Sequence, residues 1–374
     1  MGARLEYNGK FAVEGRRVRL LALVTDGIGA SGGIARYNTD LFKAMSNSAH
    51  VEQVIVLPRF GNDNTSRPEK VVQLEALSNA YHWAVKAAYL VLRGGFDAIF
   101  CGHLNAAPFV ARLARLGRTP LWIQTHGIEA WEDRGPKFRR ALASARLVTA
   151  VSRHTRRRLL SWSDVVPSRV RVLPNTFDPT YAPSPRRMDL AARYGLKNNK
   201  VILTVGRMSS SERYKGHDRI IRCLEALRSV VPEVVYLIVG TGDDQQRLEA
   251  LAQNLGVRGA IIFAGFVPAA EIADHYALAD VFAMPSTGEG FGIVFLEAAA
   301  AGLPVIGGSS DGSLDALAEG AVGTPVDVED FNALTNALAK ALSNGRPGAR
   351  ESFQRFASSY FSCYVNELVQ VVRS

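Results

Sequence analysis

Met284-Pro285-Ser286-Thr287-Gly288-Glu289-Gly290-Phe291-Gly292-Ile293-Val294-Phe295-Leu296-Glu297-Ala298 closes an apolar run, turns through three glycines and enters an apolar helical stretch. Strand, glycine-rich turn and helix in that order form the repeating unit of a parallel α/β sheet. The free amides of Phe291, Gly292 and Ile293 at the helix start can hold a phosphate. Glu289 lies in the turn. Glu297 follows on the helix among apolar neighbours, where an acid needs a partner. Two carboxylates so placed can accept hydrogen bonds from the hydroxyls of a sugar and a ribose. A helix cap plus a salt-bridged glutamate is the plainer alternative, but it leaves both acids and three glycines together unexplained.

The same unit repeats outward in both directions. Val201–Val205, Val234–Val239, Ala260–Phe263, Val281–Met284, Pro304–Ile306 and Thr324–Val326 read as strands. So do Val18–Val24, Val51–Leu57, Ala98–Cys101, Leu121–Thr125, Leu147–Val151 and Val170–Leu173. These runs are apolar on both faces, as buried parallel strands are. Helical patterns lie between them, among them Ile34–Met45, His217–Val230, Asp244–Asn254 and Gly292–Ala301. The alternation implies an α/β fold of two doubly wound domains. Ligands of such sheets bind at the carboxyl ends of strands, so two facing domains would place a site in the cleft between them.

The chain has 374 residues, 47% hydrophobic and 21% charged, enough for two domains with sizeable cores. The proline-rich stretch from Pro174 to Pro185 reads as the linker. Cys101, Cys223 and Cys363 lie far apart, which excludes a disulfide framework and a cysteine-rich zinc site. No span approaches the ~18 apolar residues of a membrane helix. Arg16, Arg17 and Arg19 precede too short an apolar run for a secretory signal, so a cytoplasmic setting is expected.

Two further segments carry chemistry. Asp26-Gly27-Ile28-Gly29-Ala30-Ser31-Gly32-Gly33 follows the first strand and precedes a helix. A phosphate or sugar can approach the backbone there, or the segment is a plain turn. The spacing does not match GxGxxG, and no acid follows to hold a nucleotide ribose, so a dinucleotide site is poorly supported. Arg207 ends a buried strand and Lys215 starts the next helix. Together they can clamp a diphosphate, or they are two surface cations.

With these residues in view, the chain resembles the retaining nucleotide-sugar glycosyltransferases of family 4, which have the GT-B fold. Glu289 and Glu297 match that family's E-x7-E signature. GRMSSSERYKGHD (206–218) is similar to its Arg–Lys segment. VGTGDDQQRLEALAQNLGV (239–257) and FAGFVPAAEIADHYALADVFAMPS (263–286) also fit its pattern. SGGIARYNTDLFKAM resembles the first loop and helix, and THGIEAWE (125–132) and TAVSRHTRRRL (149–159) the end of the first domain.

The resemblance implies two facing Rossmann-like domains: an acceptor-binding domain over residues 1–176, joined by the final helix 355–374, and a donor-binding domain over 177–354. It implies that Arg207 and Lys215 stabilise the leaving diphosphate. Glu289 and the amides of Phe291, Gly292 and Ile293 would hold the donor sugar, and Glu297 the ribose. Phe266 and Val267 would flank the base, Gly32 and Gly33 would approach the donor phosphate, and His126 would face the transferred sugar. His103, at the end of another first-domain strand, is a candidate acceptor contact. The final segment Arg350–Arg373 reads as helix. The implied reaction is transfer of a hexosyl unit from GDP-mannose or a UDP-hexose to a glycan or lipid-linked acceptor in polysaccharide or glycolipid synthesis. No metal-binding motif is visible, and no cofactor beyond the nucleotide sugar is expected. Asp243-Asp244 reads as a helix start, where acids suit the dipole. Ser309-Ser310-Asp311 departs from the family's glycine-rich turn and puts inferences about donor preference in doubt.

The charge is divided unevenly. Residues 1–190 carry 28 Lys+Arg against 15 Asp+Glu, and residues 191–374 carry 16 against 20. From Arg134 to Arg158 there are nine cations and no acid. Tyr81–Arg93 places aromatic, aliphatic and basic residues at helical spacing. An anionic membrane surface is the expected partner of the first half; no nucleic-acid module is visible. Two rivals use the same fold: a sugar-nucleotide enzyme such as an epimerase, and a non-catalytic membrane-associated scaffold. Retention of Arg207, Lys215, Glu289 and Glu297 argues against the scaffold.

Overall fold

The computed structural model describes residues 16–61, 66–346 and 351–373. Arg350 and the first fifteen residues, which the sequence reading included, lie outside them. The first half runs β1 (Val18–Asp26), α1 (Gly33–Asn47), β2 (Val51–Phe60), β3 (Val71–Gln73), α2 (Ala80–Arg93), β4 (Ala98–Cys101) and α3 (Ala107–Leu116). It continues through β5 (Leu121–Thr125), α4 (Pro136–Ser144), β6 (Leu147–Ala150), α5 (Arg153–Leu160) and β7 (Val170–Val172). The second half runs α6 (Met188–Arg193), β8 (Lys200–Val205), α7 (His217–Val230), β9 (Val234–Val239), α8 (Gln245–Asn254), β10 (Ile261–Gly265), α9 (Ala269–Leu278) and β11 (Val281–Met284). It ends with α10 (Ile293–Ala300), β12 (Val305–Gly308), α11 (Ser313–Ala316), β13 (Thr324–Val326), α12 (Phe331–Asn344) and α13 (Ser358–Arg373).

Two parallel sheets result, ordered β3-β2-β1-β4-β5-β6-β7 and β10-β9-β8-β11-β12-β13. Each reverses its winding once, between β1 and β4 and between β8 and β11. The expected pair of doubly wound α/β domains is what the chain forms. Their strands are covered on both faces, which explains the near-continuous apolar runs. One core cluster extends from Val18 and Leu20 of the first sheet to Phe282 and Val305 of the second. A second fills the other face of the first sheet around Trp83, Ile99 and Leu142, and a third the other face of the second sheet around Tyr236 and Leu334.

Two elements differ from the sequence reading. β3 was not read as a strand: it is three residues long, with Val71 and Gln73 buried and Val72 exposed, too short for a period to register. The final segment is not one helix. A 3₁₀ turn, Glu351–Phe356, precedes α13. Phe353 and Phe356, three residues apart, are both buried; their rings meet Phe177 at 4.1 Å and Phe291 at 5.9 Å. At three residues per turn the two rings lie on one side and stack along it. α13 then packs on α1, and Ser48 Oγ donates to Asn366 Oδ1 at 2.5 Å.

Candidate active site

The winding of the second sheet reverses between β8 and β11, and the loops after these two strands supply the charged groups. Arg207 follows β8. Lys215 lies at the end of a 3₁₀ segment, Ser210–Lys215, that leads into α7. The two cations converge on one carboxylate. Arg207 donates to Glu212 Oε1, and Lys215 Nζ donates to Glu212 Oε2 at 2.8 Å. Lys215 and Glu212 are mostly covered, whereas Arg207 is 74% exposed. Ser210 is tied by its backbone N to Asp243 Oδ1 at 2.9 Å and by its hydroxyl to Asp243 Oδ2 at 2.5 Å. Asp244 pairs with Arg213 and Arg247. The two aspartates thus anchor the Arg–Lys segment as well as standing at the start of α8.

Glu289 stands in the loop after β11. That loop is organised from within: Gly288 N and Glu289 N both donate to Ser286 Oγ at 3.1 Å, and Ser286 Oγ donates to Asp311 Oδ2 at 2.8 Å. Asp311, itself buried, also accepts from Glu289 N at 2.7 Å and from Ser313 N at 2.9 Å. The segment that departs from the family pattern therefore braces the Glu289 loop. Thr287 N donates to the Tyr214 carbonyl at 3.0 Å, which joins this loop to the Arg–Lys segment. Burial pushes the Glu289 carboxyl up to about 7; the Lys215 and Arg207 charges pull it down, and Asp311 and Glu212 push it up. It is therefore poised near neutrality, unlike an ordinary surface glutamate.

After Glu289 the chain turns at Gly292, with φ of 84°, and α10 begins without a side-chain cap. A Cβ on Gly292 would meet the Phe295 ring at 2.6 Å. The turn therefore requires glycine and leaves the amides at the helix start without side-chain acceptors. Phe291 is buried beneath this turn.

The first domain meets this loop directly. A Cβ on Gly290 would overlap the carbonyl oxygen of His126, so two backbones touch here across the cleft. His126 follows β5; its Nε2 donates to the Gly102 carbonyl at 2.9 Å. Burial drives this imidazole down to about 4, so it is neutral. The half-buried His103 ring lies 5.9 Å away and its Nδ1 accepts from Asn105 N at 3.1 Å. Gly32 and Gly33 are exposed at the start of α1, and the space where a Cβ would project is open at both. Phe266 is 78% exposed just beyond β10, and Val267 packs against the core beside it.

Glu297 belongs to a separate group. It is buried, and Tyr276 Oη donates to its Oε2 at 2.9 Å. Burial raises its carboxyl, against the pull of the Tyr276 hydroxyl and of Arg36 from α1. Arg207, Lys215 and Glu289 are thus brought together, with His126 on the opposite wall and Glu297 one helix turn deeper. Sequence reasoning missed Glu212, Asp311 and Asp315 as parts of this arrangement. Their signal was weak, because acids in loops and short helical turns usually face water. Asp315 crosses to the first domain: it accepts from Arg153 Nε at 2.6 Å and from the amides of Arg153 and His154 at the start of α5. Among the described residues no three His, Cys, Asp or Glu side chains gather as a metal site, and no helix is long and apolar enough to cross a membrane.

A doubly wound pair of domains with a cation pair, a near-neutral glutamate and an open helix start facing a cleft defines a GT-B glycosyltransferase. Residues 189–359 match the model of glycosyl transferases group 1, and residues 31–181 match that of glycosyltransferase family 4. A GDP-mannose-dependent alpha-(1-6)-phosphatidylinositol monomannoside mannosyltransferase of Mycolicibacterium smegmatis is 36% identical over 68% of this chain and 69% of its own length. A D-inositol 3-phosphate glycosyltransferase of Corynebacterium urealyticum is 34% identical over 47% of this chain and 43% of its own. The fold is shared with Anabaena Alr3699/HepE solved with UDP and glucose, with a TM-score of 0.74, 20% identity, and coverage of 95% of this chain and 100% of that one. WaaG, a glycosyltransferase involved in lipopolysaccharide biosynthesis, matches with a TM-score of 0.64 and 20% identity over 93% and 95% of the two chains. The chain belongs to glycosyltransferase family 4 and is a nucleotide-sugar glycosyltransferase.

Proposed function

We propose that this enzyme transfers a hexosyl unit, mannose from GDP-mannose first among the candidates, to a lipid-linked acceptor at an anionic membrane surface, with retention at the anomeric carbon and without a metal ion. The observation that carries this reading is the convergence of Arg207 and Lys215 beside Glu289 at the carboxyl edge of β8 and β11. Departure of a nucleoside diphosphate builds negative charge on its oxygens, and preorganised cations lower that barrier most. Two fixed cations and the open amides at Phe291, Gly292 and Ile293 supply that stabilisation where other transferases use a divalent ion. Glu289 accepts from the sugar hydroxyls. Glu297 accepts from the ribose once Tyr276 yields it, and Phe266 and Val267 offer a surface for the base. Gly32 and Gly33 admit the phosphates from the first domain.

The first domain, with α13 laid on it, takes the acceptor. His126 and His103 line its wall of the cleft. The neutral His126 imidazole can sit against a sugar without adding charge. Retention follows if transfer takes place on a single face: the acceptor hydroxyl enters on the side the diphosphate leaves, and a departing phosphate oxygen takes its proton. A relative named for a phosphatidylinositol mannoside acceptor supports a lipid-linked acceptor. So does the surface: a cavity of about 610 Å³ between α3 and α4 is lined by Arg112, Arg115, Arg118, Lys137, Arg140 and Arg169, with no carboxylate among its lining residues. Beside it, α2 exposes Tyr81, Val85, Tyr89 and Leu92 along one face. Apolar side chains flanked by cations suit the cytoplasmic face of an anionic bilayer.

The test is a donor panel of GDP-mannose, UDP-glucose and UDP-galactose, with lipid extracts as acceptors and no added metal. We expect GDP release and a product whose anomeric proton signals the configuration of the donor. Inversion of that configuration, or activity only with a divalent ion, contradicts the corresponding part of the proposal.

A further inference from the structure

The two cations that would clamp the donor diphosphate already hold an anion. Glu212 gives one carboxylate oxygen to Arg207 and the other to Lys215. That is the geometry with which two oxygens of a phosphoryl group would bridge the same pair. Glu212 lies where the 3₁₀ segment breaks, with φ of −121° and ψ of 27°, so no regular helix locks its side chain in place. Its neighbours on either side are better tied: Ser210 by Asp243 and Arg213 by Asp244. The segment is thus anchored around a carboxylate that sits in the place of the ligand.

We propose that Glu212 is a displaceable counter-ion of the diphosphate clamp, one that holds Arg207 and Lys215 convergent before the donor binds and speeds departure of the nucleoside diphosphate product. The inference rests on the reading of Arg207 and Lys215 as that clamp. Without Glu212 two cations at close range would repel and splay. With the donor bound, phosphate oxygens take over both contacts and the carboxylate moves aside. After transfer the product has a terminal phosphate whose second ionisation lies near pH 6, so it carries about one more negative charge than the diphosphate did in the donor. Glu212 therefore repels the product more than the donor. The same carboxylate repels the donor too, but by less, because the donor carries less charge.

The experiment is calorimetric binding of GDP, UDP and GMP to wild type and to E212Q, which keeps the shape and removes the charge. E212A serves as a second variant, and thermal melts check that each is folded. We expect E212Q to bind the preferred nucleoside diphosphate roughly tenfold more tightly, to bind GMP with a smaller gain, and to lose the difference at high salt. In turnover, KM for the donor should fall and kcat should fall with it as product release slows. A structural role would not make the gain grow with ligand charge. Unchanged or weaker diphosphate binding by a folded E212Q or E212A overturns the inference alone. Absence of binding of any nucleotide by wild type overturns the donor-site reading, and this inference with it.

Discussion

At Glu289 a half-buried carboxyl faces two cations and two acids, and loss of water around it holds it at about 7 instead of its usual 4.5. The sign of the resulting pH dependence is fixed. Between 4.5 and 7 the folded state keeps a proton that the unfolded chain has lost, so stability falls as pH rises through that window and levels off above it. E289Q removes the ionisation. Its melting temperature should therefore gain on that of wild type from pH 5 to pH 8, by a margin corresponding to about 3 kcal/mol at the upper end. Differential scanning calorimetry at the two pH values checks this; an equal gap at both would contradict the burial of an ionised group here. His126 runs in the opposite sense. Its depressed value means that stability is lost as pH falls from 6.5 towards 4. Glu289, Arg207 and Lys215 were legible in the sequence because their residue types are out of place beside apolar strands. Asp311 was not, since its contacts are made between loops that only the folded sheet brings together, and Glu212 was not, since its two local partners depend on the irregular turn of its own segment.

At the scale of elements, the turn into α10 does most to shape the site. G292A puts a Cβ against the Phe295 ring at a positive φ. It should cost about 1–3 kcal/mol of stability and weaken nucleotide binding, measured by thermal melt and calorimetry. The α2–α3–α4 face is a second test. Reversal of Arg112, Arg115 and Arg118 to glutamate should cut partition onto vesicles containing anionic lipid by at least ~100-fold, at roughly 1 kcal/mol per cation lost. The melting temperature should stay unchanged. Co-sedimentation reads the outcome, and retained binding would move the membrane contact elsewhere. The strands were legible because burial on both faces makes each a solid apolar run. β3 was not, being three residues on the sheet edge. The break before α13 was hidden because Phe353 and Phe356 fit either helix type until their aromatic partners, Phe177 and Phe291, are known.

At the scale of the whole molecule, two domains are held in register by a few contacts across the cleft. The His126 backbone lies on Gly290, Arg36 pairs with Asp178 at 2.8 Å, and Asp315 holds Arg153 and the start of α5. D315A removes a half-exposed ion pair and two amide contacts. It should loosen closure, raising KM for the donor several-fold with a stability loss of only about 1 kcal/mol. Small-angle scattering with and without nucleotide should show the variant more open. The division of charge, legible from the sequence, sets a basic first half against an acidic second half; on the proposed reading the first meets an anionic surface, and in the second Arg207 and Lys215 meet the donor. The central claim is that Arg207 and Lys215 carry the leaving diphosphate. It is tested most directly by nucleotide release from the preferred donor in wild type and in R207A and K215A, each shown to be folded. The account predicts turnover at least ~100-fold lower in both variants; near-normal turnover in either would contradict it.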